Sequence, residues 1–164
     1  MTEFRLLGAL ALVLAPPALA ASECDANAGP CMERSAARER PAVVGPSDRF
    51  TGTVTVRPIF DARPPGRTSA GEVRFAPGAR SAWHRHPLGQ HLIVTSGLGW
   101  TQVEGGPIVE MHPGDVIWCP PGVKHWHGAT PTTSVTHIAV QEAEDGTNVV
   151  WLEKVSDAEY RVRR

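Results

Sequence analysis

The chemistry in this chain is concentrated in four residues of two short stretches: His84, His86, Gln90 and His125. The first three lie between Gly78 and Gly97, with one residue separating the two histidines and three more before Gln90. The fourth closes a stretch that begins at Gly114 and passes through Pro120, Pro121 and Gly122. Side chains two apart on a strand project to the same face, so His84 and His86 can aim two imidazoles at one point. Pro87 and Gly89 supply turn chemistry, which lets Gln90 open the strand Leu92-Ile93-Val94 with its side chain returned to that region. His125 follows a rigid bend and arrives from a distant segment. Three neutral imidazoles and one amide oxygen make a donor set without thiolate, which suits Mn, Fe, Co, Ni or Zn with open positions better than a structural Cys-zinc centre.

A second rank of residues follows from strand parity. Along Ser134 to Gln141, one face carries Val135, His137, Ala139 and Gln141. If that face is interior, His137 and Gln141 are polar groups in an apolar pocket near the metal, and a small-molecule substrate can supply the partners they need. A base or donor is needed there, and His137 fits that role. His127 shares parity with His125, so both an inward and a rim position are open to it. Gly71 and Val73 share a face on an early strand, where small residues leave room for substrate opposite the metal. His91 alternates with Gln90 and is expected to point away; His112 precedes Pro113-Gly114 and is expected in an exposed turn. Trp83, Trp100, Trp118, Trp126 and Trp151 read as packing residues rather than a substrate cage, since parity separates Trp83 and Trp126 from their ligand neighbours.

These residues need strands to position them, and from Phe50 onward the chain has the required character. Short β-branched or aromatic runs alternate with Gly/Pro turns: Thr53-Val56, Glu72-Phe75, Ala82-His86, His91-Thr95, Trp100-Val103, Ile108-Met111, Val116-Cys119, Lys124-His127, Ser134-Gln141 and Val149-Glu153. This is an all-β signature, and such a series closes into a small antiparallel barrel or jelly roll around a pocket. Residues 21–49 read as an extended arm or linker with room for a short helix from Met32 to Arg40. In the tail, residues 156–164, Ser156-Asp157-Ala158-Glu159 has capping-box form and starts a short helical turn.

Residues 1–20 have the form of a secretory signal peptide: Arg5, an apolar run from Leu6 to Ala15, then Ala18-Leu19-Ala20 before the expected cleavage. The run falls short of the ~20 residues that span a bilayer. The processed protein is therefore expected to be exported, periplasmic or secreted, without a membrane span. About 144 residues then remain, the size of one domain. The formal net charge of −1 and the scattered arginines exclude a nucleic-acid partner on electrostatic grounds. Cys24 and Cys31 are spaced for a disulfide in an oxidising compartment, with unpaired thiols the equal alternative; Cys119 is left over as a buried strand residue.

The two ligand stretches resemble the paired motifs of the cupin superfamily, over about residues 50–155. Gln90 stands where the family usually has Glu, and Ala129 where it has Asn. The resemblance implies a single cupin β-barrel of jelly-roll type. A neutral ligand set leaves the ion's full charge available, making a stronger Lewis acid. More closely, His86-Pro87-Leu88-Gly89-Gln90, Pro113-Gly114-Asp115-Val116, Lys124-His125-Trp126-His127-Gly128 and Thr136-His137-Ile138-Ala139 look like the small bacterial monocupins that include manganese-dependent hydroxynitrile lyases. Those enzymes cleave or form cyanohydrins such as mandelonitrile. By that resemblance Mn is the metal, His84, His86, Gln90 and His125 hold it, His137 transfers the proton and Gln141 helps hold substrate. It also implies a homo-oligomer, at least a dimer, with residues 21–60 at the interface. Two other readings stay open: a cupin dioxygenase or keto-sugar isomerase, and a non-catalytic exported protein in which the metal organises a small-molecule pocket.

Overall fold

Glycine and proline divide residues 43–151 into thirteen short strands in the computed structural model, which describes residues 31–161. In chain order they are β1 (Val43–Val44), β2 (Phe50–Thr51), β3 (Val54–Phe60), β4 (Thr68–Phe75), β5 (Arg80–Ser81), β6 (His84–Arg85) and β7 (Gln90–Gly97). Then follow β8 (Gly99–Val103), β9 (Val109–Met111), β10 (Val116–Cys119), β11 (His125–Ala129), β12 (Val135–Glu142) and β13 (Val150–Trp151). One sheet has the order β1-β3-β4-β12-β7-β10. The other runs β13-β6-β11-β5-β2, with β8 on β11 and β9 on β8. Every strand pair is antiparallel, as a jelly roll requires.

The alternation seen in the sequence becomes alternation in burial. On β7, Gln90, Leu92 and Val94 are buried while His91, Ile93 and Thr95 are exposed. The buried face packs Phe75, Leu92, Val94, Met111 and Val135 into the core between the sheets. Burial of such side chains contributes roughly 1.5–3 kcal/mol each. A second cluster gathers Trp83, Trp100, Trp126, Val155 and Tyr160. Gly97 ends β7 at φ +81°, where a Cβ would stand 1.9 Å from the Ser134 carbonyl oxygen, so only glycine lets the chain turn there.

All ten expected runs contain strand, but three particulars differ. The run Ala82-His86 is split, because Ala82 and Trp83 turn their N–H groups to the Arg49 and Glu153 carbonyls instead of continuing a ladder. Within the expected arm, Val43–Val44 pairs with Val56 and Thr55 of β3, so the sheet begins before Phe50. The possible helix there amounts to one 3-10 turn, Ala37–Glu39. At the other end Ser156 caps helix α1 (Asp157–Arg161): its Oγ donates to Glu159 Oε2 at 2.7 Å and accepts the Glu159 N–H at 3.2 Å. That helix is more than a tail, since Tyr160 is buried and its hydroxyl donates to the Ala129 carbonyl at 2.8 Å. Arg80, also buried, donates to the Val155 carbonyl and to Asp157 and stacks 4.6 Å over the Tyr160 ring.

Residues 36–161 belong to one compact unit. Cys31 is disulfide-bonded; Cys24, its expected partner, lies outside the described residues, as does the expected signal peptide. Cys119 is free and buried. No helix among the described residues is long and apolar enough to cross a membrane.

Candidate metal centre

The inner face of the first sheet presents three rungs toward the interior. One joins Ser69, Gln141 and Gln90; the next Gly71, Ala139 and Leu92; the third Val73, His137 and Val94. The facing sheet supplies the imidazoles. His84 of β6 is paired with His125 of β11 on one side and with Trp151 of β13 on the other. His86 follows β6 directly, and its carbonyl accepts the N–H of Gly122 at 2.8 Å, which ties the two motif halves together through the backbone.

The three imidazoles converge. Ring centroids lie 4.3 Å apart for His84 and His125, 5.2 Å for His84 and His86, and 5.6 Å for His86 and His125. Each Nδ1 is fastened to a main-chain carbonyl: Ala82 for His84, Asn148 for His86 and Val123 for His125. A carbonyl can only accept, so each Nδ1 carries the proton and each Nε2 keeps its lone pair. Nε2 of His86, Nε2 of His125 and Oε1 of Gln90 are buried with no hydrogen-bond partner. Orphaned lone pairs of this kind are costly unless something else meets them, and a divalent cation is a group that would.

His127 is drawn in as well. Ring nitrogens of His84, His125 and His127 all come within 4.8 Å of one another, a three-histidine cluster that fits a divalent metal site. Proximity alone thus favours His127 over His86. The unpaired atoms favour His86, whose buried Nε2 makes no hydrogen bond, whereas Nδ1 of His127 is held against Nε2 of His137 at 3.1 Å. The energetic cost lies with the unpaired atoms.

Electrostatics keep the cluster neutral. Burial is the largest cause in every case: it pushes His84 and His127 well below 6.5, His125 below it, and His86 and His137 down to about 4. Neighbouring imidazoles add to the effect, His125 on His84 and His137 on His127. Near pH 7 the lone pairs are therefore available to a cation.

Beside these donors lies a cavity of about 310 Å³. Gly71, Val73, Ala139 and Gln141 form one wall, and His84, His86, Gln90 and His127 another. Val43, Val44, Phe50 and Trp151 also border it. The position of His127 is thereby decided as inward. His137 stands behind it and is fully buried, so the residue expected to meet the substrate is one layer removed. Gln141 lines the cavity, but both ends of its amide are engaged: Oε1 accepts from Gln90 Nε2 at 3.1 Å and Nε2 donates to Ser69 Oγ at 3.0 Å. His91 and His112 point away, as expected, His91 against the exposed ring of Trp118 at 4.4 Å.

Sequence reasoning missed Ser69, Asn148, Trp151 and β1. Ser69 continues the parity of Gly71 and Val73 and was open to discovery on that ground. Trp151, expected to pack, does pack on the core, yet it also borders the cavity, 4.9 Å from His84 by ring centroid. Asn148 sits in a loop with no periodic signal.

Known proteins are similar to this chain in sequence and fold. A protein of Granulicella tundricola named (R)-mandelonitrile lyase is 59% identical over 117 residues, which is 71% of this chain and 89% of the relative. The structure of a cupin-like protein from Thermotoga maritima superposes with a TM-score of 0.70 at 43% identity, over 75% of this chain and 92% of that one. The polyketide cyclase RemF of Streptomyces resistomycificus shares the fold at a TM-score of 0.63 and 20% identity, over 79% of this chain and 91% of its own. The cupin domain model matches residues 71–140, the span from the Gly71 wall through both donor stretches to β12. With this match, the relative's coverage and the jelly-roll topology together, the chain belongs to the cupin family.

Proposed function

We propose that this protein is a metal-dependent lyase that cleaves or forms a cyanohydrin, with mandelonitrile the first substrate to test. The observation that carries the metal part is the set of buried, partnerless atoms His86 Nε2, His125 Nε2 and Gln90 Oε1, of which those of His86 and Gln90 border the cavity. The substrate class is supported by the name and 59% identity of the Granulicella relative. At about 310 Å³ the cavity is at the small end of the ~300–1,000 Å³ typical of ligand sites, in keeping with a one-ring substrate.

A divalent ion held by His84, His86, Gln90 and His125 supplies Lewis acidity toward a substrate oxygen, Mn being our choice by resemblance. The protein's own residues do the rest. Gly71, Val73 and Ala139 leave an apolar space for an aryl group and keep water from it. His127 faces the hydroxyl and takes its proton at Nε2, while its Nδ1 proton passes to His137 Nε2, 3.1 Å away. His137 thus acts in proton transfer through His127. As the hydroxyl loses its proton, the carbon–cyanide bond breaks with its electron pair on cyanide and a carbonyl forms. The proton returns to cyanide, giving benzaldehyde and HCN.

The test is metal analysis of the purified protein followed by mandelonitrile turnover. Benzaldehyde release that disappears in His127→Ala and His137→Ala, with metal content kept, is the expected result. Metal uptake without release overturns the lyase in favour of a binding protein, and oxygen uptake with a flavonol or catechol overturns it in favour of a dioxygenase. Export after cleavage behind Ala20 and assembly as at least a dimer through residues 21–60 belong to the same proposal; the mass of the processed chain and sedimentation of the intact protein test them.

A further inference from the structure

An amide side chain at a metal site poses a problem that a carboxylate does not. Its two ends are nearly the same size, but only the oxygen has a lone pair for a cation. Gln90 must therefore be told which way to face, and the structure contains a chain of hydrogen bonds that does so. Gln90 Nε2 donates to Gln141 Oε1 at 3.1 Å. Gln141 Nε2 donates to Ser69 Oγ at 3.0 Å, and Asn148 Nδ2 donates to the same oxygen at 3.4 Å. The single hydroxyl proton of Ser69 goes to the Gln141 main-chain carbonyl at 3.4 Å.

That last bond gives the chain its direction. A carbonyl oxygen only accepts, so Ser69 spends its proton there and meets both amides as an acceptor. Gln141 must then turn its NH₂ toward Ser69 and its oxygen toward Gln90. Gln90 in turn must present NH₂ to Gln141 and is left with Oε1 free, buried and unpartnered. Asn148 links the second donor to the same network, since its main-chain carbonyl accepts from His86 Nδ1.

We infer that Ser69, with Gln141 and Asn148, is a positioning device that selects the oxygen of Gln90 as the metal ligand. Ser69 touches neither metal nor substrate; it acts by polarity, passed through two amides. The inference rests on the metal reading above and goes beyond it by giving the neutral ligand its own set of supporting residues.

The experiment is calorimetric titration of full-length, chelator-stripped protein with Mn(II), in a double-mutant cycle. Partners of this kind typically change metal affinity about 10–100-fold, and Ser69→Ala is expected to weaken Mn(II) binding within that range. Ser69→Thr, which keeps the hydroxyl, restores it. In Gln90→Glu both ends of the side chain are oxygen, so there is nothing to select. In that background Ser69→Ala is expected to weaken binding by no more than about twofold, the scatter of uncoupled sites, since Gln141 is then free to turn its NH₂ toward the carboxylate. An equal loss in both backgrounds means that Ser69 only supports the fold and overturns the inference, as does unaltered Mn(II) binding by Ser69→Ala itself. Wild-type protein that takes up no Mn(II) overturns the metal reading, and this inference with it; wild-type uptake together with a missing Ser69 effect overturns the inference alone.

Discussion

Five neutral imidazoles buried around one point make the metal-free protein sensitive to acid, and the size of the effect follows from the structure. The unfolded chain takes up protons on these histidines below about 6.5, their ordinary value. The folded chain cannot do so on His86 or His137 until about pH 4, because burial disfavours the charged ring. Protons bind more to the unfolded state throughout that window, so stability falls as pH drops from about 6.5 to about 4 and is level above it. At about 1.4 kcal/mol for each pH unit of displacement, His86 and His137 each withdraw about 3 kcal/mol by the acid end. His84, His125 and His127 act in the same direction. A domain of this kind has about 5–15 kcal/mol in total, so the chelated protein should lose most of its stability before pH 4. Urea denaturation at several pH values, followed by tryptophan fluorescence, measures the slope. His137→Gln should lower that slope by about 1.4 kcal/mol per pH unit over its steep region. Stability that stays constant within about 1 kcal/mol between pH 6.5 and 4.5, less than one such histidine contributes, would refute the picture of a neutral buried cluster.

Three further outcomes are expected. Tyr160→Phe removes the only hydrogen bond described from this hydroxyl and leaves the buried Ala129 carbonyl without it, so equilibrium unfolding should show a loss of about 1–3 kcal/mol. Gly97→Ala meets both a positive φ and the Ser134 carbonyl at 1.9 Å, and should cost more than about 3 kcal/mol or prevent soluble expression. Gly71→Phe places a ring in the cavity and removes no proposed donor; turnover should be lost while Mn(II) uptake, read by calorimetry, is retained.

What could be read from the sequence was whatever depends on short-range period and turn chemistry. His84, His86 and Gln90 are brought together by one turn, and His125 by the Pro120-Pro121-Gly122 bend, so spacing alone foretells that they lie near one another. Parity placed His137 and Gln141 on the inner face of β12, where they are. Parity has no depth, however, and did not reveal that His127 would stand between His137 and the cavity. Nor does it reveal what a side chain does with its hydrogen bonds: Gln141 turned out to be occupied on both sides because Ser69 and Gln90 lie across from it on neighbouring strands far apart in sequence. Val43–Val44 was illegible for a simpler reason. Two residues make no pattern, and their pairing with β3 is a tertiary fact.

That small strand has a consequence for how new specificities arise. β1 hydrogen-bonds to a single neighbour at the margin of its sheet, and with Gly45 and Pro46 it lines the pocket, while every proposed metal donor comes from later in the chain. A peptide of five or six residues can thus be exchanged by recombination or by library selection, retuning what is admitted while the proposed donor set is inherited intact.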